Sequence, residues 1–234
     1  MEHILRAAEI QKNYGPELVL KGISLEIEAN TFTAILGPSG SGKSTLLNTL
    51  SGLSKPSSGQ IYWRDTEVTG LSEPKLADLK QNCAGNVFQN YLLLNNLTVE
   101  ENIKIGIPRK KESISFDRLV GILEIRDILK KFPAQLSGGQ QQRAAIARAV
   151  IKCPDLLFCD EATGALDETN SKKVVSLLHG LKKTFGITIL FTTHNRQIAE
   201  TADRVLTMKD GLLHGDVKND KPILPEKMVW GDEL

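Results

Sequence analysis

Hydrophobic and polar positions alternate along the first third of the chain. Ile4 to Gln11, Ile23 to Ile27, Thr31 to Leu36 and Ile61 to Val68 are short runs rich in β-branched and aromatic residues, and they predict strands. A glycine-rich loop after Leu36 leads into a helical pattern over Lys43 to Leu50, and Lys55-Pro56-Ser57-Ser58-Gly59 reads as a turn. The middle is mostly helical. Thr98 and Glu101 have capping-box spacing, and Phe116, Leu119, Val120 and Leu123 recur at helical intervals. Pro133 breaks that pattern, and a new helix is expected from Ser137 to about Ile151. The last third alternates. Leu156 to Cys159 and Ile187 to Thr192 are apolar enough for buried parallel strands. Between them Val174, Leu177, Leu178 and Leu181 form one stripe of a helix over Thr169 to Lys183. A helix from Asn195 and a strand over Arg204 to Met208 follow, and a charged tail starts at Val217, with Met228-Val229-Trp230 as a late apolar patch. Strand–helix–strand alternation of this kind predicts an α/β sheet.

Composition narrows the setting. The 234 residues can bury a full core and fit one domain. With 29 Lys+Arg against 28 Asp+Glu, the net charge of +1 gives no basic excess for a nucleic acid to read. Arg109-Lys110-Lys111 reads as a solvated loop. No apolar run exceeds five residues, whereas a membrane-spanning helix needs about 20. No charged start leads into an apolar run, so no secretory signal is read. Gly231-Asp232-Glu233-Leu234 falls one letter short of a retention signal that would need one. Cys83, Cys153 and Cys159 lack metal-site spacing and suggest reduced thiols in a cytosol.

The strongest chemistry is Gly37-Pro38-Ser39-Gly40-Ser41-Gly42-Lys43-Ser44-Thr45, which matches G-x-x-x-x-G-K-[ST] between a predicted strand and a helix. Glycines let backbone N–H groups curl around phosphate oxygens, and the helix N-terminus adds partial positive charge. Lys43 is expected to reach the β- and γ-phosphates and Ser44 to offer a hydroxyl to Mg²⁺. Asp160 and Glu161 close the strand at Leu156 to Cys159. Side chains alternate along a strand, so the two carboxylates are expected on opposite faces with different tasks.

Leu136-Ser137-Gly138-Gly139-Gln140 adds a second candidate anion site, a serine cap with two glycines beside it. One chain does not easily fold both sites onto one nucleotide. With these motifs in this order, residues 4 to about 216 resemble the ATP-binding subunit of an ABC transporter. The fold implied is a P-loop ABC-type cassette with a RecA-like α/β core, an antiparallel β subdomain and a helical subdomain over about 91–153, all within one domain of residues 1–234 with a tail over 217–234.

The resemblance also assigns roles. It implies that two copies pack head to tail, so that Ser137, Gly138, Gly139 and Gln140 of each cover the ATP on the other's phosphate loop. Asp160 then coordinates Mg²⁺, Glu161 deprotonates the attacking water, and His194, at the end of a predicted strand, contacts the γ-phosphate. Gln89 matches the glutamine loop, which senses Mg²⁺ and the permease. Asp167, in Gly164-Ala165-Leu166-Asp167, matches the loop that crosses the dimer interface. Tyr14, 23 residues before Gly37, matches the aromatic that stacks on adenine. Leu92-Leu93-Leu94 are either core or part of a groove for the permease.

Thr163-Gly164 before Ala165-Leu166-Asp167 resembles the bacterial subgroup of macrolide exporters, lipoprotein-release systems and antimicrobial-peptide resistance transporters. Ala162 departs from the subgroup's usual proline, and the stretch from Asn102 to Leu136 is somewhat short. The implied function is ATP hydrolysis by a dimer that drives a transmembrane permease on a separate chain, from the inner face of the cell membrane, with ATP and Mg²⁺ as cofactors. Two alternatives share the cassette: a mechanical signalling role at the membrane, and a soluble non-transport ATPase acting on ribosomes or DNA. Single-cassette length and near-neutral charge count against the last.

Overall fold

The computed structural model describes residues 3–108 and 112–229. Arg109-Lys110-Lys111, Trp230 and Gly231 to Leu234 lie outside them, so the readings made of these residues are not addressed.

Two sheets organise the described residues. β1 (His3–Tyr14), β2 (Glu17–Glu28), β4 (Ser58–Trp63) and β5 (Thr66–Glu67) form a four-stranded antiparallel sheet in the order β2-β1-β4-β5. The run read as one strand over Ile61 to Val68 is thus a hairpin, because Arg64 turns the chain with a left-handed φ of 50°. The second sheet has the order β10-β9-β3-β8-β7-β6. Its strands β3 (Phe32–Leu36), β6 (Ala84–Phe88), β7 (Leu156–Asp160), β8 (Thr188–Thr193) and β9 (Arg204–Lys209) run parallel, and β10 (Leu212–Lys218) adds an antiparallel edge.

The central parallel strands β3, β7 and β8 are buried on both faces, and successive residues feed different cores. Ile35, Leu156, Phe158 and Leu190 join a core shared with the antiparallel sheet and α1 (Lys43–Leu50). Ala34, Leu157, Cys159, Ile189 and Phe191 face α3 (Val99–Ile105), α4 (Phe116–Ile122), α5 (Gly138–Val150), α6 (Glu168–Phe185) and α7 (Arg196–Glu200). Three layers result, and α1 lies on the side opposite the other core helices. α2 (Glu73–Cys83) leads into β6.

Local signals set several boundaries. Thr98 caps α3 in a capping box with Glu101, and Ser137 caps α5 in one with Gln140. Gly186, at φ 68°, ends α6 as a left-handed cap. Inside the helical insertion, buried Asn102 spends its side chain on Leu94, Leu97 and Thr98, tying the segment after Gln89 to α3.

Other boundaries correct the sequence reading. α2 and β6 were not expected, and neither was β10, which carries ordered sheet past Val217. Residues 219–229 then pack back on α6 and α7: Ile223 N–H donates to Glu200 O and Val229 N–H to Gln197 Oε1, while Met228 is buried in the helical core.

Candidate nucleotide site

Site residues gather at the carboxyl ends of four neighbouring parallel strands, β3, β8, β7 and β6, where open α/β sheets collect ligands. The phosphate loop follows β3. Gly40 (φ 78°) and Gly42 (φ 96°) adopt left-handed backbone that a side chain would strain, and Gly42 caps α1 with no side-chain bond to its first turn. Amide groups at this helix start are therefore available to an anion. Gly37 fits for a different reason: a Cβ there would stand 2.2 Å from Met208 O. The loop is pinned from outside, with Gly37 N–H donating to Thr193 O at 3.3 Å and Gly211 N–H to Ser41 O at 3.1 Å.

Lys43 is 4% exposed, with its ammonium donating to the Gly37 and Pro38 carbonyls at 2.9 Å each. Glu161 Oε1 lies 3.6 Å from the same ammonium and 3.8 Å from His194 Nδ1. Glu161 does not continue the strand. β7 ends at Asp160, and Glu161 has a left-handed φ of 43°. Strand alternation therefore does not separate the two carboxylates; a backbone reversal does. Asp160 Oδ1 accepts from Ser44 Oγ at 2.8 Å and from Thr192 Oγ1 at 2.7 Å. The Thr192 hydroxyl also accepts from Glu161 N–H at 2.9 Å, so one side chain fixes both acidic residues. Thr192 was missed from sequence. Its place opposite Asp160 in the β7–β8 register is the signal that finds it. Just before the pair, Cys159 is fully buried, and burial, then the Asp160 charge, push its thiol far up and leave it inert.

A polar cavity of about 370 Å³ joins these parts. It is lined by Ser39, Gly40, Gly42, Lys43, Ser44, Thr45, Gln89, Asp160 and Glu161, with Val19 of β2 as its apolar wall. Gln89 enters at the end of β6, and its Nε2 would lie 2.8 Å from a Cβ placed on Gly164. No group of three or more His, Cys, Asp or Glu among the described residues is arranged to hold a metal ion by itself. The Ser44 hydroxyl and Asp160 carboxylate instead make a small all-oxygen pair. That suits Mg²⁺, which uses one or two carboxylates and substrate phosphates.

The remaining expected residues lie outside this lining. Tyr14 ends β1, is 53% exposed, and has Lys12 Nζ 5.2 Å from its ring centroid. Ser137 Oγ accepts from Gln140 N–H at 3.4 Å, and Gln140 Oε1 accepts from Ser137 N–H at 3.0 Å. The Gln140 side chain thus shapes the cap. A Cβ on Gly138 would meet Tyr91 Oη, and one on Gly139 would meet Asn170 Oδ1 at 2.6 Å. Asp167 caps α6. Donation from the backbone and side-chain amides of Asn170 holds its carboxyl below the usual range. Of the three leucines, Leu93 packs against the helical core, whereas Leu92 and Leu94 are exposed.

Known proteins share these features. The ABC transporter family profile matches residues 20–164. The chain is 39% identical over 236 residues to a putative ABC transporter ATP-binding protein of Mycoplasma pneumoniae, covering 98% of this chain but only 51% of that protein. It is 42% identical to the bacitracin export ATP-binding protein BceA of Halalkalibacterium halodurans, covering 90% of this chain and 87% of BceA. Among solved structures, the dimeric ATP-binding cassette MJ0796 bound to ADP and Pi superposes with a TM-score of 0.84 at 32% identity, over 93% of this chain and 99% of that one. Sequence, layer order and the phosphate loop agree: the chain belongs to the ABC transporter family and has the fold of its P-loop ATP-binding cassettes.

Proposed function

We propose that this ABC ATPase cassette hydrolyses ATP as a head-to-tail dimer and drives a membrane permease that exports antimicrobial peptides. The observation that carries the reading is the division of parts. Lys43, Ser44, Gln89, Asp160 and Glu161 line one cavity, while the Ser137 cap is not among its lining residues. A second copy supplies the missing half. The dimeric, ADP-bound state of the similar cassette MJ0796 supports that arrangement.

The chain's own groups then divide the work. Loop amides and Lys43 bind the phosphates, Tyr14 stacks on the adenine, and Ser44 and Asp160 hold Mg²⁺, with Gln89 beside them. Bound Mg²⁺ supplies charge neutralisation on the phosphate oxygens. Glu161 accepts the proton of the attacking water, and His194 steadies the γ-phosphate. The Ser137 hydroxyl accepts within its own cap, so its O–H is free to donate to the phosphate of the partner copy. Gly138 and Gly139 let Tyr91 and Asn170 pack tightly behind that cap, and Asp167 faces the other copy.

No helix among the described residues is long and apolar enough to cross a membrane. Exposed Leu92, Leu94, Ile105 and Ile107 give the helical insertion an apolar face next to Gln89, suited to a permease at the inner side of the membrane. Similarity to BceA favours peptide-antibiotic export within the subgroup.

The test compares wild type with Glu161→Gln in Mg-ATP. The variant is expected to elute as a dimer with ATP and to release phosphate about 10²–10⁴-fold more slowly. Turnover near wild type, or a monomer in ATP, would overturn the assignment.

A further inference from the structure

Gln89 reaches the phosphate cavity from a segment whose backbone is held in an unfavourable shape. β6 ends at Phe88, and Tyr91 and Leu92 then take left-handed φ values of 60° and 47°. Two successive side-chain-bearing residues in that region persist only where their surroundings over-determine them. The turn satisfies its own amides: Tyr91 N–H donates to Phe88 O at 3.1 Å and Leu92 N–H to Asn90 O at 2.6 Å.

The two carbonyls are taken by one side chain from another element. Arg148, in the last turn of α5, donates Nη1 to Leu92 O at 2.6 Å and Nη2 to Tyr91 O at 3.1 Å. A planar guanidinium fork suits two neighbouring acceptors in a way a lysine ammonium does not. No carboxylate pairs with Arg148 among the described residues, and burial works against its charge, so a surface ion pair does not account for its placement. The ring of Tyr91 reaches the other end of the same helix, with its hydroxyl 2.8 Å from where a Gly138 Cβ would stand. Residues 89–94 contain no glycine that could absorb a change between these grips.

We infer that Arg148 is a positioning residue for the glutamine loop: its grip on the Tyr91 and Leu92 carbonyls ties the place of Gln89 in the phosphate cavity to the helix that carries Ser137. This inference rests on the ATP hydrolysis proposed above. A displacement of α5 passes to Gln89 through two charge-assisted hydrogen bonds and one ring contact, so the half-site offered to a partner copy and the chain's own half-site move together.

The full-length chain tests it with Arg148→Met, Arg148→Lys, Gln89→Ala and the Gln89→Ala/Arg148→Met double variant. Arg148→Met is expected to lower kcat about ten- to a hundredfold while leaving the KM for Mg-ATP within about twofold. Arg148→Lys should recover part of that loss. In the Gln89→Ala background the same substitution should have little further effect, because what it positions is already gone. Equal kcat losses in both backgrounds, or a KM that rises as kcat falls, would mean a merely structural role and overturn the inference. Amide hydrogen exchange over residues 90–95 supplies a readout independent of turnover. Exchange there should quicken in Arg148→Met, and unchanged exchange overturns the grip. If wild type itself releases no phosphate, the proposed function fails, and the exchange result alone decides for or against the grip.

Discussion

The Glu161 carboxylate lies 3.6 Å from the Lys43 ammonium, between side chains only 22% and 4% exposed. The same ammonium must meet the phosphates, so the carboxylate and the ligand compete for one cation. Glu161→Gln removes both that competition and the repulsion between carboxylate and phosphate. ATP should then bind up to about fivefold more tightly, roughly 1 kcal/mol, even as turnover collapses. Titration with a fluorescent ATP analogue measures it, and weaker binding by the variant would count against this pairing.

Thr192 touches both acidic residues with one hydroxyl. Thr192→Val keeps the shape but strips the donor from Asp160 and leaves Glu161 N–H without its acceptor. A buried amide left unpaired costs about 1–3 kcal/mol. The variant should show that loss in denaturant unfolding, together with a fall in kcat larger than the fall in ATP affinity. Equal kcat in the two proteins would deny Thr192 a part in the site.

Gly37→Ala should damage the loop by packing. Its Cβ would be driven against the Met208 carbonyl, which is backbone and cannot swing aside. The expected loss is about 1–3 kcal/mol or more, seen as a lower urea midpoint together with weaker ATP binding. Ala at position 40, by contrast, would meet no atom within 4 Å and would be strained only by its φ of 78°.

His179 predicts a pH dependence far from the nucleotide. Its ring stacks on Phe32 at 4.4 Å and meets Thr201 Oγ1 at 3.1 Å. Burial, then the Lys182 charge, push its pKa from 6.5 to about 4, and Asp203 and Glu226 only partly oppose this. The unfolded chain therefore takes up a proton near 6.5, which the folded chain refuses until about 4. Stability should fall as pH drops through that window and level off below it. His179→Phe should flatten this slope when urea midpoints near pH 7 and about pH 5 are compared. An unchanged slope would assign it to other groups.

What the sequence revealed was what its neighbours in the chain determine. Gly40 and Gly42, the Thr98–Glu101 and Ser137–Gln140 boxes and the stripe through Val174 and Leu178 are all local patterns. The misses have physical causes. α2 fully buries none of its residues and sets only Leu76, Leu79 and Cys83 against the core, a stripe too sparse to stand out in a polar segment. β6 contains Gly85 and Asn86, poor strand formers, and is a strand because β7 pairs with it. β10 buries no residue along its length and pairs only with β9. In the site, the left-handed turn at Glu161 and the Thr192 bridge depend on the register of β7 against β8, which no single segment encodes.

Keeping Ser137 away from the chain's own phosphate loop leads to a rule of inheritance for the proposed dimer. Lys43→Ala and Ser137→Ala placed on different copies leave one composite site whole and ruin the other. Placed together on one copy beside an intact partner, they spoil both. Two singly defective chains, each inactive alone, should therefore rescue one another when mixed, whereas an intact chain mated to the doubly defective one should be silenced by it.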